Sequence, residues 1–192
     1  MLLLVGAQRA DDRKPPGARP AASLVSADPA MLVPTPVVPT PVVPTPVVPA
    51  NVTVPALGIA APVVPVAAVD GVLTPPSEPD LLGWWKDGAL TGDARGSALV
   101  TGHTVHTGGG ALDDLEHLAP GDTVLVDGEG TRVHYRVVSV RVLSKEQLAA
   151  AATELFDQEG RPRLVLVTCE DWNGAGYDSN VVVTAVPDRP SY

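Results

Sequence analysis

One cysteine, Cys169, is all the chain offers for disulfide chemistry, so no internal bridge can staple the fold. A lone thiol neither establishes nor excludes an oxidising compartment, because it either pairs between molecules or stays reactive. Aromatic residues are also scarce: three tryptophans, three tyrosines and one phenylalanine in 192 residues. Long apolar runs are missing. Met1-Leu2-Leu3-Leu4-Val5-Gly6-Ala7 is apolar over seven residues, far short of the roughly twenty that a membrane span requires. It also has no basic start of the kind that opens a signal peptide. It reads either as an ordinary N-terminus or as the tail of a truncated signal or anchor. Basic charge is short as well. Of 13 Lys and Arg and 22 Asp and Glu, residues 1–50 hold four and three, which leaves nine against nineteen in residues 51–192. So acidic a segment argues against nucleic acid, whose phosphates require Lys and Arg, and against charge-driven binding to an anionic membrane. The excess acid serves solubility, or an acidic groove for a cationic substrate. The glycine run Thr107-Gly108-Gly109-Gly110 lacks the lysine and hydroxyl residue of a phosphate loop and reads as a flexible connection.

Proline, by contrast, is abundant at 21 residues and is unevenly placed. Residues 8–32 mix Pro, Ala and charge without periodicity, the composition of a disordered linker. Pro34-Thr35-Pro36-Val37-Val38 then recurs at 39–43 and 44–48. Two prolines in every five residues exclude a helix or a central strand. The expected form is an extended polyproline-II spacer of about 3.1 Å per residue, a semi-rigid stalk that would hold a domain away from a surface such as a cell envelope. A proline-rich ligand for another domain is the other use of such a segment. Residues 1–50 are therefore expected to be a disordered, proline-rich linker, with one folded domain over 51–192.

Within 51–192 the pattern is mostly that of strands. Val52-Thr53-Val54 and Pro62-Val63-Val64-Pro65-Val66 are short candidates whose prolines suggest edges or strand starts. Asp70-Gly71 and Thr74-Pro75-Pro76 mark turns. Trp84 and Trp85 are expected in the core or along the wall of a groove. Residues 111–118 can form a short helix with Leu112, Leu115 and Leu118 on one side, broken by Pro120-Gly121-Asp122. Thr123–Asp127 and Thr131–Leu143 read as a hairpin around Gly128-Glu129-Gly130. In its second strand Val133, Tyr135, Val137, Ser139 and Arg141 share one face, and His134, Arg136, Val138, Val140 and Val142 share the other. Ser144-Lys145-Glu146-Gln147 opens a second helix through Leu155, with Ser144 as N-cap and Gln147 as its capping-box partner. A last strand covers Asn180–Ala185. Many short strands with two short helices predict an all-β domain, either an antiparallel barrel or a sandwich.

Two strands end in chemistry. Leu164-Val165-Leu166-Val167-Thr168-Cys169 is apolar and β-branched, then turns polar at Glu170-Asp171-Trp172. Ser97-Ala98-Leu99-Val100-Thr101-Gly102-His103 is a second such strand, ending in histidine. Cys169 alone reads equally well as a small buried hydrophobe. Paired with a distant histidine, also at a strand end, it has the pattern of a nucleophile and its proton-transfer partner. Glu170 and Asp171 cap a loop and would raise the thiol pKa by like charge. Thr168 is either a brace for substrate or a plain β-former. His103 and His106 are too few for a metal site, since zinc takes three or four ligands, and His106, His117 and His134 read as surface residues.

Thr101-Gly102-His103, then Val167-Thr168-Cys169, then Asn180-Val181-Val182-Val183 after a loop, resemble the sortase family in order and spacing. Gly83-Trp84-Trp85, Gly88-Ala89, Gly96-Ser97-Ala98-Leu99-Val100 and Leu118-Pro120-Gly121-Asp122 are similar to its class F (actinobacterial) group. The resemblance runs from about residue 52 to 187. It implies a closed eight-stranded β barrel and a cysteine transpeptidase needing no metal or organic cofactor. The substrate implied is a Leu-Pro-X-Thr-Gly-like sorting signal of surface proteins, cut between Thr and Gly. Cys169 would be the nucleophile and His103 the proton donor and acceptor, with Thr168 and Trp172 along the groove. The acceptor would be an amine of the cell wall or a pilin, or water. The place implied is the cell surface, outside the cytoplasm, with the protein monomeric and reaching the membrane only through an upstream anchor if one is present.

One position departs from that family. Its last strand carries an arginine that contacts substrate and supports the oxyanion; here the two places it could occupy, on one face of an extended strand, are Asp178 and Asn180. Arg163 stands six residues before Cys169, roughly 20 Å away along a strand, and Arg189 follows the last strand at its far end. Three readings follow: Asn180 donates in place of arginine, an arginine arrives from a loop such as that of Arg95, or the domain is a degenerate, non-catalytic binding module. A cysteine hydrolase that releases peptides without transfer is a further alternative.

Overall fold

The computed structural model describes residues 45–172, 174 and 176–188. The expected linker and most of the proline repeat lie outside the described residues, as does Arg189. The described part begins inside the last repeat unit and is already packed there. Val47 is buried, its N–H donates to Thr91 O (2.8 Å), and its carbonyl accepts from Thr91 Oγ1 (2.8 Å).

Among the described residues, ten strands and one α-helix follow in order: β1 (Asn51–Val54), β2 (Ile59–Val66), β3 (Ala68–Val69), β4 (Val72–Leu73), β5 (Leu82–Trp85), β6 (Ser97–Thr101), β7 (Thr123–Gly128), β8 (Thr131–Ser144), α1 (Lys145–Leu155), β9 (Arg163–Trp172) and β10 (Tyr177–Pro187). Eight of the strands close a barrel in the order β1-β2-β5-β6-β9-β10-β8-β7, and β3 and β4 form a separate hairpin. The pairs β2·β5 and β6·β9 are parallel, and the other barrel pairs are antiparallel. This is the all-β, closed eight-stranded barrel implied by the sequence resemblance.

The prolines of β2 do not make it an edge strand. Ile59–Pro62 pairs with β1 and Val63–Val66 with β5. Each half thus pairs with one neighbouring strand, and a missing N–H is tolerated on the other side. The β3–β4 hairpin turns through Asp70 and Gly71, both at positive φ, and the β7–β8 hairpin through Glu129 and Gly130, also both positive. That is the twist-matched two-residue turn favoured in hairpins.

Of the two helical stretches expected, Ser144 caps a true α-helix. Its Oγ accepts from Gln147 N–H (3.2 Å) and Gln147 Oε1 accepts from Ser144 N–H (2.8 Å), completing the capping box. The other stretch keeps only a 3₁₀ turn, Leu115–His117, because Asp114 adopts a left-handed conformation that ends any α-helix there. Leu112, Leu115 and Leu118 are nevertheless all buried in the barrel.

Alternation along the strands separates two apolar clusters. The barrel interior holds Val124, Val126, Tyr135, Leu164, Leu166, Val181 and Val183 among others. The outer cluster, formed by Leu99, Val165, Val167 and Val182 with Leu148, Ala151 and Leu155 of α1, lies on the opposite face of the same strands. The expected faces of β8 hold from Val133 to Val137, then change. The register shifts between Thr184 and Ala185, which pair with Ser139 and Val137 and leave Val138 as the extra residue. A bulge of this kind moves the following side chains to the other face, so Val140 rather than Ser139 packs on the interior cluster.

Candidate active site

β6 and β9 run parallel with a constant offset: Ser97 pairs with Arg163 and Thr101 with Val167, 66 residues apart in each case. β6 ends at Thr101, and the same offset carried two residues further would set His103 level with Cys169. The continuation is held by hydrogen bonds. Gly102 N–H donates to Val167 O (3.2 Å), and Thr168 Oγ1 donates to Gly102 O (3.0 Å). Thr168 Oγ1 also lies 2.8 Å from Thr104 Oγ1, and Thr168 itself is buried. On its other side β9 pairs with β10 and sets Cys169 opposite Asn180. Cys169 and Asn180 are therefore neighbours across β9 and β10, and His103 follows Gly102 where the chain leaves β6 on the other side of β9.

The Thr168 hydroxyl ties the segment that leads to His103 to the cysteine strand. Asp178 and Asn180 fall on one face of β10 as expected, since Ser179 and Val181 between and beyond them are buried. Asp178 is exposed and Asn180 half-buried. Asn180 Nδ2 donates to Thr168 O (3.3 Å) and approaches Cys169 Sγ at 3.9 Å. Trp172 ends β9, and its side chain, like those of Glu170 and Asp171, lies outside the described residues.

His103 is fixed from two directions. Its carbonyl accepts from Leu112 N–H (3.1 Å), and its Nε2 is 2.6 Å from Pro76 O. A carbonyl only accepts, so Nε2 carries the proton in that bond and Nδ1 is left to take up or release one. The glycine run after it is not a loose connection. Asp113 gathers it by accepting from the N–H groups of Val105 (2.7 Å), Gly109 (2.8 Å) and Gly110 (3.0 Å). Gly110 passes so close to the His103 carbonyl that a Cβ there would collide with it.

Cys169 opens into a cavity of about 760 Å³ on the outer face of the barrel. Val167 forms part of its floor, Leu148 and Ala152 of α1 one wall, and Val72 and Leu73 of the β3–β4 hairpin, with Trp85, another. The two tryptophans thus divide the alternatives open in the sequence. Trp84 is buried in the interior cluster with its indole N–H on Ala89 O (3.2 Å), and Trp85 lines the groove. Cys169 is half-buried, and burial pushes its thiol pKa up, while the charge of Lys145 pulls it down. Lys145 lines the same cavity and was read in the sequence only as a helix-opening residue. Its signal is a basic side chain in the first turn of a capped helix, where acidic residues are preferred.

The arginines lie elsewhere. Arg163 is occupied at the opposite end of β9, with Nε on Ser97 Oγ (2.8 Å) and Nη2 on Glu154 O (2.6 Å). Arg95 precedes β6, also at that far end, and faces Glu159 (3.6 Å), so it does not serve the cysteine. His106, His117 and His134 are exposed, as expected. His117 does meet two acids, Glu116 (3.3 Å) and Asp114 (3.7 Å), in a surface cluster away from the cavity lining.

Comparison with known proteins accords with this architecture. No curated protein matches the chain significantly. Among solved structures, the chain is similar to sortase C-1 from Actinomyces oris (20% identity, 72% of each chain covered, TM-score 0.57). It is also similar to the SrtA sortase from the same organism (19% identity, 78% of this chain and 84% of that one, TM-score 0.58). A third is the sortase D5 transpeptidase of Clostridium perfringens (15% identity, 73% and 78%, TM-score 0.56). At these identities the likeness is one of fold. The model of the sortase domain matches residues 52–188, which span all of the barrel strands but Asn51 and include both His103 and Cys169, and the chain belongs to the sortase family.

Proposed function

We propose that the domain is a cysteine transpeptidase acting on a Leu-Pro-X-Thr-Gly-like sorting signal, of the class F-like kind. The observation that carries this reading is Cys169, opposite Asn180 and on the strand beside the one that leads to His103, opening into a largely apolar cavity. In the first step the Cys169 thiolate attacks the threonine carbonyl carbon. A C–S bond forms, the Thr–Gly C–N bond breaks, and the departing glycine amine takes its proton from His103. In the second step an amine gives a proton back to His103 and attacks the thioester. A new C–N bond forms and the thiolate leaves; water in place of the amine gives a carboxylic acid. His103 exchanges protons through Nδ1 while Nε2 remains on Pro76 O. Asn180 Nδ2 supplies a donor where the family has an arginine. These roles need neither metal nor organic cofactor.

The same reading makes the protein a monomer that works at the cell surface, outside the cytoplasm, with the proline-rich segment ahead of the packed Val47 as its stalk. Its partners are the sorting signal of surface proteins and an amine of the cell wall or a pilin. Among the described residues no helix is long and apolar enough to cross a membrane. A second reading, a degenerate module that binds peptide without cutting it, is favoured by Asn180 standing opposite Cys169 and by the lack of any arginine among the described cavity-lining residues.

The test is incubation of the full chain with a Leu-Pro-X-Thr-Gly peptide and mass spectrometry of Cys169, with Cys169→Ala as control and Asn180→Arg and Asp178→Arg alongside. An acyl adduct on the native chain, absent from the control, is expected. An adduct only in an arginine variant identifies the degenerate module. Product analysis with and without an added amine separates transfer from hydrolysis.

A further inference from the structure

Positive charge at the nucleophile is the piece that the last strand does not supply, and the cavity shows where it comes from. Lys145 is the only charged residue among the described residues lining the cavity that Cys169 and Asn180 share. Its position follows from register. Leu143 pairs with Asn180, Asn180 with Cys169, and Ser144 with Ser179. Lys145 thus stands two residues beyond the row that contains the thiol, where β8 passes into α1.

We propose that Lys145 is the cation of this site, taking the place of the strand arginine by facing Cys169 and the carbonyl that Cys169 attacks. The inference deepens the transpeptidase reading and rests on it for the acyl step. Three observations carry it. The side chain is exposed and makes no salt bridge among the described residues, although its charge is felt by the neighbouring Glu146 carboxylate. Its charge acts on the thiol, opposing the effect of burial. The residue also sits at the first helical position, where a cation works against the helix dipole. The helix dipole does not favour it there, whereas Glu146, next along, has the sign that a first turn prefers. A lysine on a four-carbon stem is a movable point charge and not a planar fork. It would follow the oxygen as negative charge develops, instead of gripping the substrate in advance.

The test compares the native chain with Lys145→Gln and Lys145→Arg in two readouts. The first is the ratio of Cys169 alkylation rates by anionic iodoacetate and neutral iodoacetamide at low ionic strength, which senses a cation beside the thiol whether or not the protein cuts peptides. The ratio is expected to fall about three- to fivefold in Lys145→Gln, to be kept in Lys145→Arg, and to lose its dependence on residue 145 in high salt. The second is the rate of acyl-adduct formation, expected to fall about tenfold or more in Lys145→Gln and to be retained in Lys145→Arg. Thermal melting separates a structural effect, because removing a cation from a helix N-terminus leaves the melting point equal or higher. An unchanged alkylation ratio in Lys145→Gln overturns the proposal. So does an unchanged acylation rate in a native chain that does form the adduct. A native chain that forms no adduct overturns the transpeptidase reading instead, and the alkylation ratio still decides whether Lys145 is the cation.

Discussion

Asn180 Nδ2 lies 3.9 Å from Cys169 Sγ, the two residues being partners across β9 and β10. An amide donor so placed favours the thiolate, and an isosteric carboxylate would oppose it. Asn180→Asp is therefore expected to move the pH midpoint of Cys169 alkylation upward by about one unit. In the native chain that midpoint already lies above the ordinary thiol value, because burial disfavours the charged form. The adduct-forming rate at neutral pH should fall about tenfold with it. A midpoint that does not move would remove Asn180 from the electrostatics of the site.

Thr168 is a brace, and its loss should be felt at the histidine. Its hydroxyl donates to Gly102 O and accepts from Thr104, in a buried setting at the end of the parallel pair. Thr168→Val keeps the shape and removes both bonds. The expected cost is about 1–3 kcal/mol, seen as a melting point lower by roughly 3–8 °C. The adduct-forming rate should drop more than peptide binding does, since His103 follows Gly102 directly. Calorimetry and single-turnover kinetics measure the two effects.

Gly102 itself is confined by sterics. A Cβ there would run into Leu82 and Leu112, both fully buried. Gly102→Ala should cost about 1–3 kcal/mol by overpacking. A partner change, Leu112→Val, makes room and should recover part of the loss. Denaturant unfolding of the single and double variants tests this, and additive effects would show that the two sites do not touch.

Tyr135 sets an alkaline limit. It is buried, its Oη accepts from Gly92 N–H (2.7 Å), and burial pushes its pKa from 10.0 to about 12. The folded state thus holds the phenolic proton more tightly than the unfolded chain does. Its contribution is fully present below pH 10 and is lost as pH rises towards 12. The shift corresponds to about 3 kcal/mol. Tyr135→Phe should flatten the fall in stability over that range, at the expense of about 1–3 kcal/mol at neutral pH for the orphaned Gly92 N–H. Urea unfolding at a series of pH values reads both.

Much of this was legible in the sequence because it depends on local chemistry. The capping box at Ser144 and Gln147, the positive-φ turns at Asp70-Gly71 and Glu129-Gly130, and the alternation of Val133, Tyr135 and Val137 each announce themselves within a few residues. Cys169 and His103 stood out because each ends an apolar strand. What escaped depends on pairing over distance. The bulge at Val138 is set by β10, some forty-five residues on, and nothing in β8 alone reports it. The grip of Pro76 O on His103 uses a backbone carbonyl, which every residue has. Lys145 looked like helix punctuation until the register put it beside the cysteine row.

The two apolar clusters on opposite faces of the same strands give the site a parity. On β9 the even-numbered Leu164 and Leu166 face the interior, and the odd-numbered Val165, Val167 and Cys169 face outward, towards the α1 cluster and the cavity; on β10 the assignment is reversed, with Asn180 and Val182 outward. Chemistry and folding are therefore written in interleaved letters of one text. Substituting only the outward letters would rewrite what the groove accepts while leaving the barrel its own spelling. Deleting a single residue ahead of Cys169 would exchange the two alphabets, turning the thiol into the core and a core side chain into the groove.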